Sequence, residues 1–246
     1  MVAQIDWSNL TIKRSFAVSQ KETSYDFSNP LFDIIEEIYL DSRSQVKDII
    51  NSREKAEILK ILRKAKIKSI GFLTDGGREI TVEVPIVGAI LDLLTPHDIG
   101  IGQPVVQRYC PFCGQPWPKG RPVPSGISLL IKDEIKETFT GIVFDCSRMD
   151  LRPALFPRII NESGQLVYGL PFAARNYIID SGLAAYLSGD DQLLVSDRIG
   201  NHPLRIKPLK VVGSDIIISD RDGRRVHGSE GNLDLLRQCR VVIISE

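Results

Sequence analysis

Cysteine is scarce in this chain of 246 residues. Four cysteines are too few to build a disulfide framework for a fold of this size. Net charge is missing as well, because 31 Lys+Arg stand against 31 Asp+Glu. Phosphate binding needs a surplus of basic residues, so nucleic acid is not expected as a main partner. No apolar run approaches the roughly 20 residues of a membrane span, and no transmembrane segment is expected. The opening MVAQIDWSN has neither a basic start nor an apolar core, so it does not read as a signal peptide. The expected location is the periplasm or outer-membrane periphery if a signal peptide was removed, and otherwise the cytoplasm. The patterns GxSxG, HExxH and GxxxxGK[ST] do not occur either, which leaves hydrolase and kinase chemistry without its usual signatures. What is present is a globular balance of 43% hydrophobic and 25% charged residues, long enough for one large or two ordinary domains.

Proline and glycine are concentrated in one place. Pro96 to Gly126 holds seven of the 14 prolines and five of the 19 glycines. Both residues interrupt helix and strand. The stretch 96–126 therefore reads as a linker between an N-terminal domain, 1–95, and a C-terminal domain, 127–246. No internal repeat is evident.

Within 1–95, Trp7, Leu10 and Ile12 flank a Ser8-Asn9 turn signal and predict a strand pair. Pro30 sits at a helix start with Ser28 or Asn29 as cap. Leu31, Ile34, Ile35, Ile38 and Tyr39 then recur at spacings of three and four, one apolar helical face. A short helix is expected over Gln45–Ile50. A longer one runs from a Ser52 cap through Ala56, Leu59, Leu62 and Ala65. The period then changes to two: Ile80, Val82, Val84 and Ile86 alternate with Glu79, Thr81, Glu83 and Pro85. Ile67–Leu73 reads as the partner strand, joined through Thr74–Gly77, where Asp75-Gly76 suits a tight hairpin. Helices on a small antiparallel sheet make an α+β unit. In 127–246 strands dominate: Gly141–Cys146, Arg158–Asn161, Leu166–Tyr168, Leu204–Val212, Asp215–Ser219 and Arg240–Ser245. Glu162–Gln165 and Asp220–Gly223 read as turns, and Ala173–Ser181 and Leu233–Gln238 as helices. The C-terminal domain is thus expected to be a strand-rich mixed sheet or partly closed barrel.

One motif carries a definite chemistry. Cys110-Pro111-Phe112-Cys113-Gly114 spaces two thiols so that a tight turn can present both to one tetrahedral zinc ion. It is half a site, and these two residues are the candidate metal ligands. Cys146, Cys239, His97, His202 and His227 are the other soft donors in the chain. Two copies of the chain, each giving one CxxC, would also supply four thiolates. A disulfide, a redox pair and an inert loop are the competing readings; the prolines that follow disfavour the helix N-terminus on which redox CxxC pairs sit. Cys146 and Cys239 lie in apolar stretches and read as small core residues. Asp220 and Asp222 resemble a fragment of a calcium loop without its distal acid, and a turn is the expected reading. Asp145 with Arg148, Arg152 and Arg158 could serve an anion or a hydrolytic site, though pairing of the arginines with Asp145 and Asp150 is the simpler expectation. Trp7 and Trp117 read as packed aromatics.

Five phrases in order carry a resemblance: Gln4–Asn9, Asp75–Gly88, Thr140–Tyr168, Asp197–Pro203 and Asp215–Asp222. Together they resemble exported bacterial lipoproteins and flagellum-associated proteins of the FlgP/FlgT-like group. The shared pattern is a strand ending in TG-hydrophobic-Asp, then RPA…PRI, a hairpin to VYG, a DR-x-G-x-(N/H)-P turn and a final strand pair. Ser19–Leu40 is shorter than the long Ala/Arg-rich helix of that group, and the cysteines of the linker have no counterpart there. The resemblance implies a dodecin-like N-terminal unit and no catalysis. It implies a structural or assembly protein of the cell envelope, flagellar basal-body associated, forming homo-oligomers and contacting other envelope or flagellar proteins. The alternative from the residues is a metal- or redox-responsive protein acting through CPFCG, with zinc as the cofactor that the motif would take.

Overall fold

Alternation of apolar and polar residues builds the first layer of the fold. In the computed structural model, which describes residues 4–19, 25–74, 76–118, 121–131, 137–188 and 197–245, β1 (Gln4–Asp6) and β2 (Thr11–Val18) form an antiparallel pair across a turn. Strands β3 (Lys66–Phe72) and β4 (Arg78–Pro85) form a second hairpin. The sheet order is β1-β2-β4-β3, antiparallel throughout. Ile80, Val82 and Val84 are buried and Glu79, Thr81 and Glu83 are not, as the period of two requires. Gly76 takes φ +82° in the hairpin turn. Asp75 lies outside the described residues.

Three helices cover the buried face. They are α1 (Ser28–Glu36), α2 (Val46–Ile49) and α3 (Ser52–Leu62). Their caps differ from expectation. At α1 neither Ser28 nor Asn29 caps; Asp26 Oδ1 instead accepts the Ser28 N–H at 2.9 Å. At α3 the cap is Asn51, which accepts from Arg53 and Glu54 while Glu54 reaches back to Asn51, a capping box one residue upstream of Ser52. The inward positions of α3 are Ile58 and Leu62; Leu59 is only partly buried. A fourth helix, α4 (Ala89–Leu94), follows β4 and buries Ile90, Leu91 and Leu94.

The C-terminal lobe holds two four-stranded sheets. The first, in the order β10-β14-β7-β11, is parallel throughout; its strands are Ala185–Ser188 (β10), Val241–Ser245 (β14), Ile142–Asp145 (β7) and Leu204–Ile206 (β11). The second, in the order β12-β13-β8-β9, is mixed; its strands are Lys210–Val212 (β12), Asp215–Ile218 (β13), Arg158–Asn161 (β8) and Leu166–Tyr168 (β9). The single strand expected over Leu204–Val212 is therefore two strands in different sheets. Pro208 lies between them and cannot donate to a ladder. Helices are a 3-10 turn at Leu170–Phe172, α5 (Arg175–Ser181), α6 (Asp220–Val226) and α7 (Glu230–Arg237). The Asp220–Gly223 stretch, read as a turn, is the first turn of α6, capped by the Ser219 hydroxyl, which accepts the Asp222 N–H at 3.0 Å. Both lobes mix helix and strand, an α+β fold.

The lobe also repeats an order not evident in the sequence. The series β7, β8, α5, β10 is followed by β11, β13, α7, β14, and each strand lies parallel beside its counterpart: β7 by β11, β8 by β13, β10 by β14. Val167-Tyr168-Gly169 precedes α5, and Val226-His227-Gly228 precedes α7.

One buried cluster runs through segments 1–95 and 127–246, from Leu10 and Ile12 to Val241 and Ile243. Backbone bonds join the lobes as well: Gly88 N–H to Ile179 C=O at 2.7 Å, and Leu155 N–H to Tyr39 C=O at 2.9 Å. Segments 96–118 and 121–131 form a strap on the C-terminal lobe, with a two-residue ladder of β5 (Arg108–Tyr109) and β6 (Leu130–Ile131). Gly102 is required there, because a Cβ would stand 2.7 Å from the Phe172 ring. Among the described residues no helix is long and apolar enough to cross a membrane.

Candidate functional site

The strap carries CPFCG at the tip of a tight hairpin. Tyr109 bridges to Pro116, and Trp117 donates its N–H to the Arg108 carbonyl at 2.8 Å, which aligns the two arms. Cys110 N–H reaches the Gln115 carbonyl at 2.9 Å, and Gly114 N–H returns to the Cys110 carbonyl at 2.9 Å. The closure needs φ +68° at Gly114, a conformation that only glycine adopts without strain. Inside the turn the nearby backbone amides of Cys113 and Phe112, with the Cys113 thiol, lower the Cys110 pKa below the ordinary thiol value. Donors aimed at sulfur are the environment of a thiolate or of a metal-bound cysteine. Cys110 is half-buried and Cys113 exposed, and both are free thiols. Phe112, between them, is 83% exposed.

The other soft donors do not converge on this pair. Cys146 and Cys239 are fully buried core residues, and burial pushes their thiols up to about 12 and about 11. His97 is exposed at the start of the strap. His202 lies 3.3 Å from Glu137 and stacks on Phe139. His227 is fully buried, and its Nδ1 accepts the Val105 N–H. Among the described residues no group of three or more His, Cys, Asp or Glu could hold a metal ion.

The Asp145 and arginine constellation is dispersed. Asp145 accepts the Ser147 hydroxyl at 2.7 Å, and that bond holds its carboxyl below the usual range. Arg152 stacks 3.7 Å from the Tyr39 ring centroid and donates to the Ser42 carbonyl at 2.9 Å. Arg158 forks onto Asp215, with Nε to Oδ1 at 3.0 Å, so its partner is neither Asp145 nor Asp150. Arg148 is exposed. Asp222 and Asp220 are engaged by Arg225 and Ser163, and no calcium loop forms. Trp7 packs edge-on to Tyr186 at 5.5 Å, and Trp117 donates its indole N–H to the Arg121 carbonyl.

A family model described as Treponema pallidum Tp0624, second domain, matches residues 141–246. The match begins one residue before β7 and covers both sheets of the C-terminal lobe, leaving the β1–β4 sheet and the CPFCG strap outside it. No curated protein matches the chain.

Two further features lie apart from the cysteines. A cavity of about 540 Å³ opens between the strap and α7. Within it Arg108 stands 3.7 Å from Glu230 and Arg237 pairs with Asp234; Arg121 also lines it, and the buried Glu230 Oε1 makes no hydrogen bond. The second feature is strand β3. It forms the outer edge of its sheet, and every one of its residues is exposed. Ile67 and Ile70 are each 50% exposed and Phe72 is 85% exposed. Sequence periodicity marked this strand as a sheet partner but gave no sign that its far side is uncovered.

Proposed function

We propose that the chain is a non-enzymatic structural or assembly protein, and that copies of it join edge to edge along β3. The observation that carries this reading is the apolar edge itself. An open strand edge presents unpaired N–H and C=O groups, and folded proteins usually blunt such edges with charge or a bulge. Here Lys66, Lys68 and an irregularity between Ile67 and Ser69 guard the first half only. Ile70, Gly71 and Phe72 carry no charge. Antiparallel pairing of two β3 strands about Ser69 sets Lys66 against Phe72 and Lys68 against Ile70, so no lysine faces a lysine. Lys68 is already paired with Glu83 on the neighbouring strand. The result is a continuous eight-stranded sheet with an isologous two-fold interface. The setting in the cell envelope rests on the resemblance of the five sequence phrases. Sedimentation velocity in chelator-containing buffer tests the interface. The wild-type chain is expected to dimerise with concentration, and Ile70→Lys/Phe72→Lys to stay monomeric with an unchanged circular dichroism spectrum. A wild-type chain that remains monomeric at every concentration overturns the reading.

A further inference from the structure

We propose that Cys110 and Cys113 are half of a four-thiolate zinc site that the same two residues of a second chain complete. The site is separate from β3 and does not depend on the edge-to-edge reading.

The turn is built before any metal arrives. Hydrogen bonds from Gly114 to Cys110 and from Cys110 to Gln115 fix the loop, and Pro111, Pro116 and Pro118 restrict its freedom when empty. Little conformational entropy is then lost on binding, which is the condition for a preorganised ligand pair.

Two thiolates leave a tetrahedral ion half-satisfied. No other described histidine, cysteine or carboxylate of the same chain stands with them. Phe112 and Cys113 at the hairpin tip are exposed, so a two-fold axis through the ion would bring a second tip to it. Phe112 gives this approach an apolar component. At 83% exposure it lies between the two ligands, and two such rings are expected to cover each other beside the metal. Zinc binding releases the thiol protons, four for each fully formed site, into solvent. Nothing is oxidised, so no further reactant is needed.

The test uses the full chain, purified under reducing conditions, stripped with chelator and titrated with Zn²⁺ or with Co²⁺ as a visible probe. One metal ion per two chains is expected, with the intense visible absorption of tetrahedral cobalt thiolate and a doubling of mass in sedimentation. The Ile70→Lys/Phe72→Lys chain should still dimerise with zinc, which separates this site from the β3 interface. Cys113→Ser should abolish both uptake and zinc-dependent dimerisation. Phe112→Ser should keep the stoichiometry and weaken the dimer by about tenfold, equal to about 1.4 kcal/mol. One zinc per chain at unchanged mass would overturn the proposal. So would absent uptake by a chain whose circular dichroism is native, or uptake that survives in Cys110→Ser/Cys113→Ser.

Discussion

The Nδ1 atom of His227 accepts the backbone N–H of Val105 at 2.9 Å, and its Nε2 lies 2.7 Å from the Val167 carbonyl. The ring is therefore neutral with its proton on Nε2, which donates to Val167. One imidazole fastens the strap to the C-terminal lobe across 122 residues of sequence. Burial lowers its pKa from 6.5 to about 4, and nearby Arg108 adds to the shift.

Acid should loosen this link. Protonation would put a second donor on Nδ1, facing the Val105 N–H. A histidine with a depressed folded pKa contributes stability above the unfolded value, and that contribution is lost as pH falls through the folded value. The window runs from about 6.5 to about 4, and the full effect is on the order of 3 kcal/mol. Asp145, held low by Ser147, loses its contribution only below that window. Glu230, raised by burial, acts in the opposite sense, because acid favours its buried neutral form. Urea unfolding of wild type and His227→Gln between pH 7.5 and 4.5 checks this. The wild type should lose stability with acid and the variant much less; parallel curves would show that His227 does not control the loss.

Thiol reactivity should divide two and two. Cys110 and Cys113 lie at the accessible hairpin tip, whereas Cys146 and Cys239 are fully buried with raised pKa values. In metal-free native protein at pH 8, a thiol reagent should label two groups quickly and all four after denaturation. Rapid labelling of a third group in the native state would contradict the buried placement.

Arg198 should matter more than its place beside a loop suggests. Its guanidinium donates to the carbonyls of Ser181 and Cys239, each at 2.7 Å, and to that of Gly182. These carbonyls lie at the end of α5 and just beyond α7, so one side chain ties together the C-terminal ends of both corresponding helices. Arg198→Met keeps much of the apolar stem and removes all three donors. A loss of about 3 kcal/mol in chemical denaturation is expected. A loss below about 0.5 kcal/mol would mean that water replaces the guanidinium freely.

The half-buried strand β4 gives a paired test. Val82 is fully buried beneath the helices, and Val82→Asp should cost about 4 kcal/mol or more, enough to unfold the N-terminal lobe. Glu83 faces outward and pairs with Lys68. Glu83→Lys should cost no more than about 1 kcal/mol, the scale of an exposed ion pair. Thermal melts of equal midpoint would contradict the assignment of faces.

Local chemistry made much of this protein legible from its residues. The alternation Ile80, Val82, Val84 set the strand and its inner face, because side chains of a strand alternate by geometry alone. The spacing of Leu31 and Ile35 set α1 in the same way, and C-x2-C with Gly114 set a turn that presents two sulfurs together. What tertiary structure alone decided was pairing at a distance. Lys210–Val212 left the strand expected with Leu204–Ile206 because its hairpin with Asp215–Ile218 joins the second sheet. Arg158 found Asp215 rather than its neighbours in sequence because β8 and β13 lie parallel in a register that places the two side by side. His227 and Val105 met only when the strap crossed the lobe. Such contacts depend on which surfaces can be buried together, and no window of sequence contains both partners.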